Sequence, residues 1–168
     1  MIRPADPVDT PALLALADAS GLFQPLEVEA LLGSVLDDFH ANRLGPGHQV
    51  QVWSDSPAGT PAGWVYFAPT DKADGVWDLW WIGVAPARQG QGIGSELIRF
   101  VEGQVRAAGG RLLVVETSSL PALDPTRAFY ARHGYARCGM VPDFYADGDG
   151  KVIYAKRVAD RVGEEAGQ

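Results

Sequence analysis

Residues 82–94 read Ile-Gly-Val-Ala-Pro-Ala-Arg-Gln-Gly-Gln-Gly-Ile-Gly, and they hold the densest chemical signal in the chain. Gly90, Gly92 and Gly94 alternate with Gln91 and Ile93 immediately before an amphipathic stretch. Alternating glycines leave backbone N–H groups unshielded, and a helix N-terminus adds partial positive charge, so the segment suits a diphosphate. No side-chain cation is needed for such a site. A flexible turn is the plain alternative. A Walker A loop is excluded, because Gly94 is followed by Ser95-Glu96 rather than Lys-Ser/Thr. A dinucleotide fingerprint would place its glycines directly after a strand, with an acid about 20 residues on. Glu116 lies near that distance, but residues 85–89 intervene and the third glycine comes one position early.

Three other residues could move protons. Glu116 ends the apolar run 112–115, where a carboxylate is unfavourable without a role or a partner. A hydrogen bond or salt bridge at the core edge is its structural alternative. Asp78 lies in the tryptophan-rich stretch 76–84 and reads equally well as a solvated strand residue. Tyr130 carries a hydroxyl that stays protonated at neutral pH, or it packs its helix as Phe129 does. His40, His48 and His133 lie far apart without ligand spacing, and Cys138 is the lone cysteine, so no metal site is expected.

These residues are carried by a chain of 168 residues, room for one domain, with 46% hydrophobic and 21% charged residues. The net charge of −7 argues against a nucleic-acid binder and mildly favours a cationic substrate such as an amine. No stretch of about 20 apolar residues exists to span a membrane. Residues 1–10 lack an apolar h-region, so no signal peptide is expected, and the single cysteine fits a reducing cytoplasm.

Periodicity supplies the scaffold. A short strand starts at Ile2, and Asp9 or Thr10 caps a helix with Pro11 in its first turn. A second helix is predicted over 25–40, with Leu26, Ala30, Leu31, Val35 and Phe39 on its apolar face. Strands follow over 49–53 and 63–67 as an antiparallel pair, then over 76–84. A helix carries Ile93, Leu97, Val101, Val105 and Ala108 on one face and ends at Gly109-Gly110. The run 112–117 reads as a central parallel strand, Asp124 caps a helix that stops near Gly134, and strands over 136–140 and 151–156 close the domain. The reading is α/β: one mixed sheet of about seven strands with about four helices over residues 1–158, then a polar tail over 159–168.

Residues 89–94, Gln-Gly-Gln-Gly-Ile-Gly, resemble the Q/R-x-x-G-x-G/A signature of GCN5-related N-acetyltransferases (GNATs), and they follow a strand ending in Val84-Ala85-Pro86 as in that family. Residues 1–5 resemble its usual first strand. Residues 128–135, Ala-Phe-Tyr-Ala-Arg-His-Gly-Tyr, resemble its second motif, about 35 residues downstream. The resemblance spans nearly the whole chain, in order. It implies a splayed GNAT-like sheet and an acetyl-CoA-dependent N-acetyltransferase in which an amine attacks directly in a ternary complex. The amides of Gln89, Gly90, Gln91, Gly92, Ile93, Gly94 and Ser95 would then hold the pyrophosphate, and Ile82 and Val84 would pair with pantetheine.

The same resemblance places Tyr130 at the cofactor sulfur as general acid. Glu116 resembles the strand glutamate that acts as base in the ribosomal-protein enzymes. Asp78 matches the position of the glutamate base in histone-type members, and a water held by both carboxylates is the third option. The segment 143–150 resembles the last hairpin of protein N-terminal acetyltransferases, which gives Tyr145 an acceptor role. Phe23 would lie in the loop that closes over the acceptor. Trp80 would wall the pocket or join the core with Trp77 and Trp81. The segment 118–124 lacks the family's usual Asn. The acceptor is a small-molecule amine or a peptide N-terminus, and the oligomeric state is open, a homodimer included. Two rival readings are a non-catalytic acyl-CoA sensor and a nucleotide-dependent oxidoreductase.

Overall fold

The computed structural model describes residues 1–21 and 28–160. Its seven strands are β1 (Ile2–Pro4), β2 (Gln49–Trp53), β3 (Gly63–Pro69), β4 (Val76–Val84), β5 (Leu112–Ser118), β6 (Ala136–Ala146) and β7 (Asp149–Arg157). They form one sheet in the order β1-β2-β3-β4-β5-β7-β6. Among the described residues four α-helices accompany them: α1 (Thr10–Ala19), α2 (Ser34–His40), α3 (Ile93–Ala107) and α4 (Asp124–Arg132). Two compact units share β4. The first comprises Met1–Ala68 and Trp80–Val101, and the second comprises Pro69–Leu79 and the chain from Glu102 onward.

In the first unit β1, β2 and β3 pair antiparallel, with Ile2 opposite Trp53 and Gln49 opposite Phe67. β3 is buried on both faces, which explains its nearly unbroken apolar run. Trp64, Tyr66 and Ala68 join Leu13, Ala17 and Leu36 of α1 and α2. On the opposite face Gly63 lets α3 approach: a Cβ there would stand 3.0 Å from Ile93 Cγ2 and 3.2 Å from Leu97 Cδ1. Asp9 does not cap α1 through its side chain. Its carboxylate instead accepts two hydrogen bonds from Arg3, at 2.7 and 2.9 Å, and one from the Asp6 amide.

The expected helix over 25–40 is two pieces within the described residues, a π-helical turn over Val28–Gly33 and then α2. A π-turn inserts a residue into the helical phase, so Val28 and Leu36 are buried while Leu31 is exposed.

In the second unit β4 and β5 run parallel from Val76↔Leu112 to Leu79↔Val115. β7 pairs antiparallel with β5 and with β6. β6 is longer than expected because two register shifts carry it past Val141 to the turn before β7. Glu102 in α3 is buried and holds the unit together: Lys156 Nζ donates to both its oxygens at 2.9 Å, and Tyr135 OH donates at 3.1 Å. Gly110 ends α3 where no side chain fits, since a Cβ would lie 2.5 Å from Val105 Cγ1. Asp124 is not a side-chain cap either. It occupies the first turn of α4 and pairs with Arg127.

Candidate active site

After Val84 the chain makes a 3-10 turn over Pro86–Arg88 and enters α3 at Ile93. Gly90 and Gly92 have φ of 75° and 87°. A Cβ built on either meets nothing within 4 Å, so glycine is required there by the backbone and not by crowding. The first helical bond runs from the Glu96 amide to the Gly92 carbonyl at 3.0 Å. The amides of residues 93–95 precede it at the N-terminus of the helix. Gln89, Gly90, Gln91 and Gly92 are exposed, and Ile93 is buried as the anchor of the turn.

A set of side chains that sequence reasoning missed braces this loop. Arg88 makes a two-pronged bond to Asp55 at 2.9 and 3.0 Å, donates to Gln91 Oε1 at 2.9 Å, and lies 5.4 Å over the Trp53 ring. Trp53 Nε1 donates to Glu96 Oε2 at 2.6 Å. The Arg88 guanidinium holds the Asp55 carboxyl below its ordinary range. Arg88 is therefore committed to Asp55, and main-chain dipoles are what the loop presents. The pairing joins positions 33 residues apart with no local signal.

Ile82 and Val84 lie half-buried at the end of β4. Strand alternation divides the three tryptophans: Trp77 and Trp81 are core residues at 6% exposure, while Trp80 is 61% exposed. Trp80 stacks on Tyr66, whose hydroxyl lies 2.7 Å from His48 Nδ1. Phe23 falls outside the described residues.

The proton-moving candidates belong to the second unit. Asp78 is opposite Val114 in the parallel ladder, so it shares a face with Glu116, two residues on. Burial raises the Asp78 pKa, and the charge of Glu116 raises it further, against smaller opposing effects of Lys72 and of a hydrogen bond with Thr70. Glu116 is exposed, contrary to the expectation of a buried carboxylate. Alternation on β5 buries Leu113, Val115 and Thr117 and turns Glu116 to the other face. Its partner is Lys151, with Nζ 3.1 Å from Oε2. Lys151 also lies 4.0 Å over the Phe144 ring. Tyr145 is 48% exposed, and its hydroxyl pKa is raised by burial and by the charges of Glu116 and Asp149. Asp78, Glu116 and Tyr145 thus form one electrostatic neighbourhood. Lys151, which sequence reasoning also missed, sits within it. Its signal was the register itself: Lys151 pairs with Ser118 and Ile153 pairs with Glu116, which puts all four on one face.

Tyr130 is on the opposite face. Its ring lies 5.9 Å from that of Tyr154, which pairs with Val115, and 5.7 Å from that of Tyr135. It is fully buried, and desolvation pushes its hydroxyl pKa well above the normal tyrosine value. Such a group is a proton donor at neutral pH. Among the described residues there is no cluster of three or more His, Cys, Asp or Glu able to hold a metal ion, and no helix is long and apolar enough to cross a membrane.

The fold has counterparts among solved structures. A solved structure of the GNAT acetyltransferase family from Desulfovibrio desulfuricans is 33% identical, with a TM-score of 0.84 over 95% of this chain and 99% of that one. An aminoglycoside 6'-N-acetyltransferase solved with coenzyme A is 18% identical, with a TM-score of 0.72 over 96% and 99% of the two chains. The ribosomal-protein-S18-alanine N-acetyltransferase of Escherichia coli is 17% identical, with a TM-score of 0.73 over 100% and 99%. No curated protein sequence matches the chain. The family model described as acetyltransferase (GNAT) matches residues 16–135, most of the chain's length. With that match and the Desulfovibrio relative agreeing, the chain belongs to the GNAT family of acetyltransferases.

Proposed function

We propose that the chain transfers an acetyl group from acetyl-CoA to a primary amine, carried by a small molecule or a peptide N-terminus, by direct attack in a ternary complex. The observation that carries this reading is the pair of left-handed glycines, Gly90 and Gly92, before α3. The amides of residues 89–95 take the pyrophosphate, and Ile82 and Val84 take the pantetheine arm. Tyr130 protonates the departing thiolate. Asp78 and Glu116 act as one basic pair, directly or through a water, and the charge of Glu116 stabilises a proton accepted by Asp78. Their position opposite Tyr130 suits a reaction in which the amine enters from one face and the thiolate leaves toward the other. Tyr145, Phe23 and Trp80 contact the acceptor, and the lone cysteine fits a cytoplasmic setting.

Calorimetry with coenzyme A tests the first half of this reading, and the absence of heat would refute it. Thiol release from acetyl-CoA across polyamines, amino acids, aminoglycosides and short peptides tests the second half. Release with at least one amine, lost in Tyr130→Phe while coenzyme A affinity is kept, is the expected result.

A further inference from the structure

The chain has three lysines, Lys72, Lys151 and Lys156, and they are held differently. Lys72 is exposed in a turn. Lys156 is a strut: both its hydrogen bonds go to Glu102, a buried carboxylate that Tyr135 also occupies. Lys151 is 16% exposed at its side chain and points its ammonium at Glu116 Oε2, 3.1 Å away, with the Phe144 ring centroid at 4.0 Å. A carboxylate on one side and an aromatic ring on the other are what recognise a primary ammonium. Here the carboxylate belongs to the pair assigned above to accept the acceptor's proton. A general base must stand within about 2.6–3.2 Å of the atom it deprotonates, and Lys151 Nζ already meets that condition.

We propose that Lys151 is an acceptor in the chain's own reaction, taking the acetyl group of acetyl-CoA onto Nζ. The inference rests on the N-acetyltransferase reading above. The ammonium gives one proton to Glu116 and through it to solvent. The free amine attacks the thioester carbonyl carbon, the C–N bond forms, and the C–S bond breaks as the tetrahedral adduct collapses. The nitrogen releases its second proton to solvent, and Tyr130 protonates the thiolate and regains a proton from solvent. The balance is lysine ammonium plus acetyl thioester giving acetamide, thiol and one proton. The modified side chain carries no charge, so it loses both the ion pair and the contact with the Phe144 ring. Glu116 and Phe144 are then left for an external ammonium.

The test is to incubate the full chain with acetyl-CoA and follow intact mass and peptide maps over time. The expected result is one added acetyl group, located at Lys151, at a rate independent of protein concentration. It should form about 10²-fold or more faster than modification of Lys72, which reports uncatalysed acetylation. Lys151→Arg should abolish the added mass, and Glu116→Gln should slow modification of Lys151 without changing that of Lys72. Modification of Lys151 no faster than of Lys72, a rate that rises with protein concentration, or indifference to Glu116→Gln would each overturn the proposal. A chain that acetylates an external amine while Lys151 stays unmodified would sink this inference alone, whereas one that fails to bind coenzyme A would sink the parent reading with it.

Discussion

α3 offers a pair of glycine-to-alanine changes that differ only in the backbone. Gly92 stands just ahead of the helix at φ 87°, and Gly103 stands inside it; a Cβ on either meets no atom within 4 Å. Packing therefore drops out of the comparison. An alanine held in the left-handed region costs about 1–2 kcal/mol, whereas an alanine inside a helix gains about 0.5–1 kcal/mol over glycine. Gly103→Ala should thus raise the urea midpoint and leave coenzyme A affinity alone. Gly92→Ala has two outcomes with one sum. If the variant keeps the left-handed turn, it loses about 1–2 kcal/mol of stability and binds coenzyme A as before. If the turn relaxes, stability is unchanged and affinity falls about 5–30-fold, because binding must restore the turn. In both cases the bound protein is weakened against unfolding by the same amount. Urea melts with and without saturating coenzyme A, combined with calorimetry, measure every leg of this cycle. A Gly92→Ala protein with wild-type stability and wild-type affinity would refute the assignment of this loop.

Tyr130→Phe should lower turnover by about 10²–10⁴-fold, the usual contribution of a positioned proton donor, while the coenzyme A dissociation constant stays near that of the wild type; equal losses in both would make Tyr130 a packing residue. Asp78 has a raised pKa through burial and the Glu116 charge, so between the ordinary aspartate value and the raised one the native chain binds more protons than the unfolded chain. Stability from this group therefore falls as pH rises through that window. Asp78→Asn should be more stable than wild type at neutral pH, with an advantage that shrinks on acidification below the carboxylate range; urea melts across pH would show an unchanging difference if this is wrong. Gly110→Ala would push a Cβ to 2.5 Å from Val105 Cγ1 and 2.7 Å from Trp77 Nε1, so it should lose about 1–3 kcal/mol in the same melts without altering coenzyme A affinity.

What the sequence revealed depends on how local each signal was. β2 spans Gln49–Trp53 as its alternation predicts, and β4 spans Val76–Val84 as its density of tryptophan and β-branched residues predicts. α3 buries Ile93, Leu97, Val101 and Val105 as its period predicts, while Ala108 falls outside the helix and is exposed. The errors have a different origin. The π-turn over Val28–Gly33 breaks a 3.6-residue count that no residue type announces. Asp9 and Asp124 look like caps, but arginines compete for their carboxylates: Arg3 bonds Asp9, and Arg127 bonds Asp124. A capping rule looks only for amides just ahead of the carboxylate and takes no account of a nearby guanidinium, Arg127 three residues on in the same helix or Arg3 six residues back.

Glu116 shows where such reasoning turns from error into information. Placed at the end of an apolar run, it reads as a buried acid in need of a role. The strand in fact alternates, and Glu116 faces the side where Asp78 and Lys151 converge. The surrounding charges then divide the labour. Burial and the charge of Glu116 raise the proton affinity of Asp78, against smaller opposing effects of Lys72 and of a hydrogen bond with Thr70. Glu116 has a lysine ammonium bonded to it. In the proposed reaction this pair, one member bonded to an ammonium and the other desolvated beside it, would hand a proton onward, and Tyr130, whose proton burial retains, would serve the leaving group from the far face. On that proposal, proton uptake from the nucleophile and proton delivery to the leaving group would be kept on separate faces of the same strands. Such a separation would keep the acid from being neutralised by the base before the acyl group has moved.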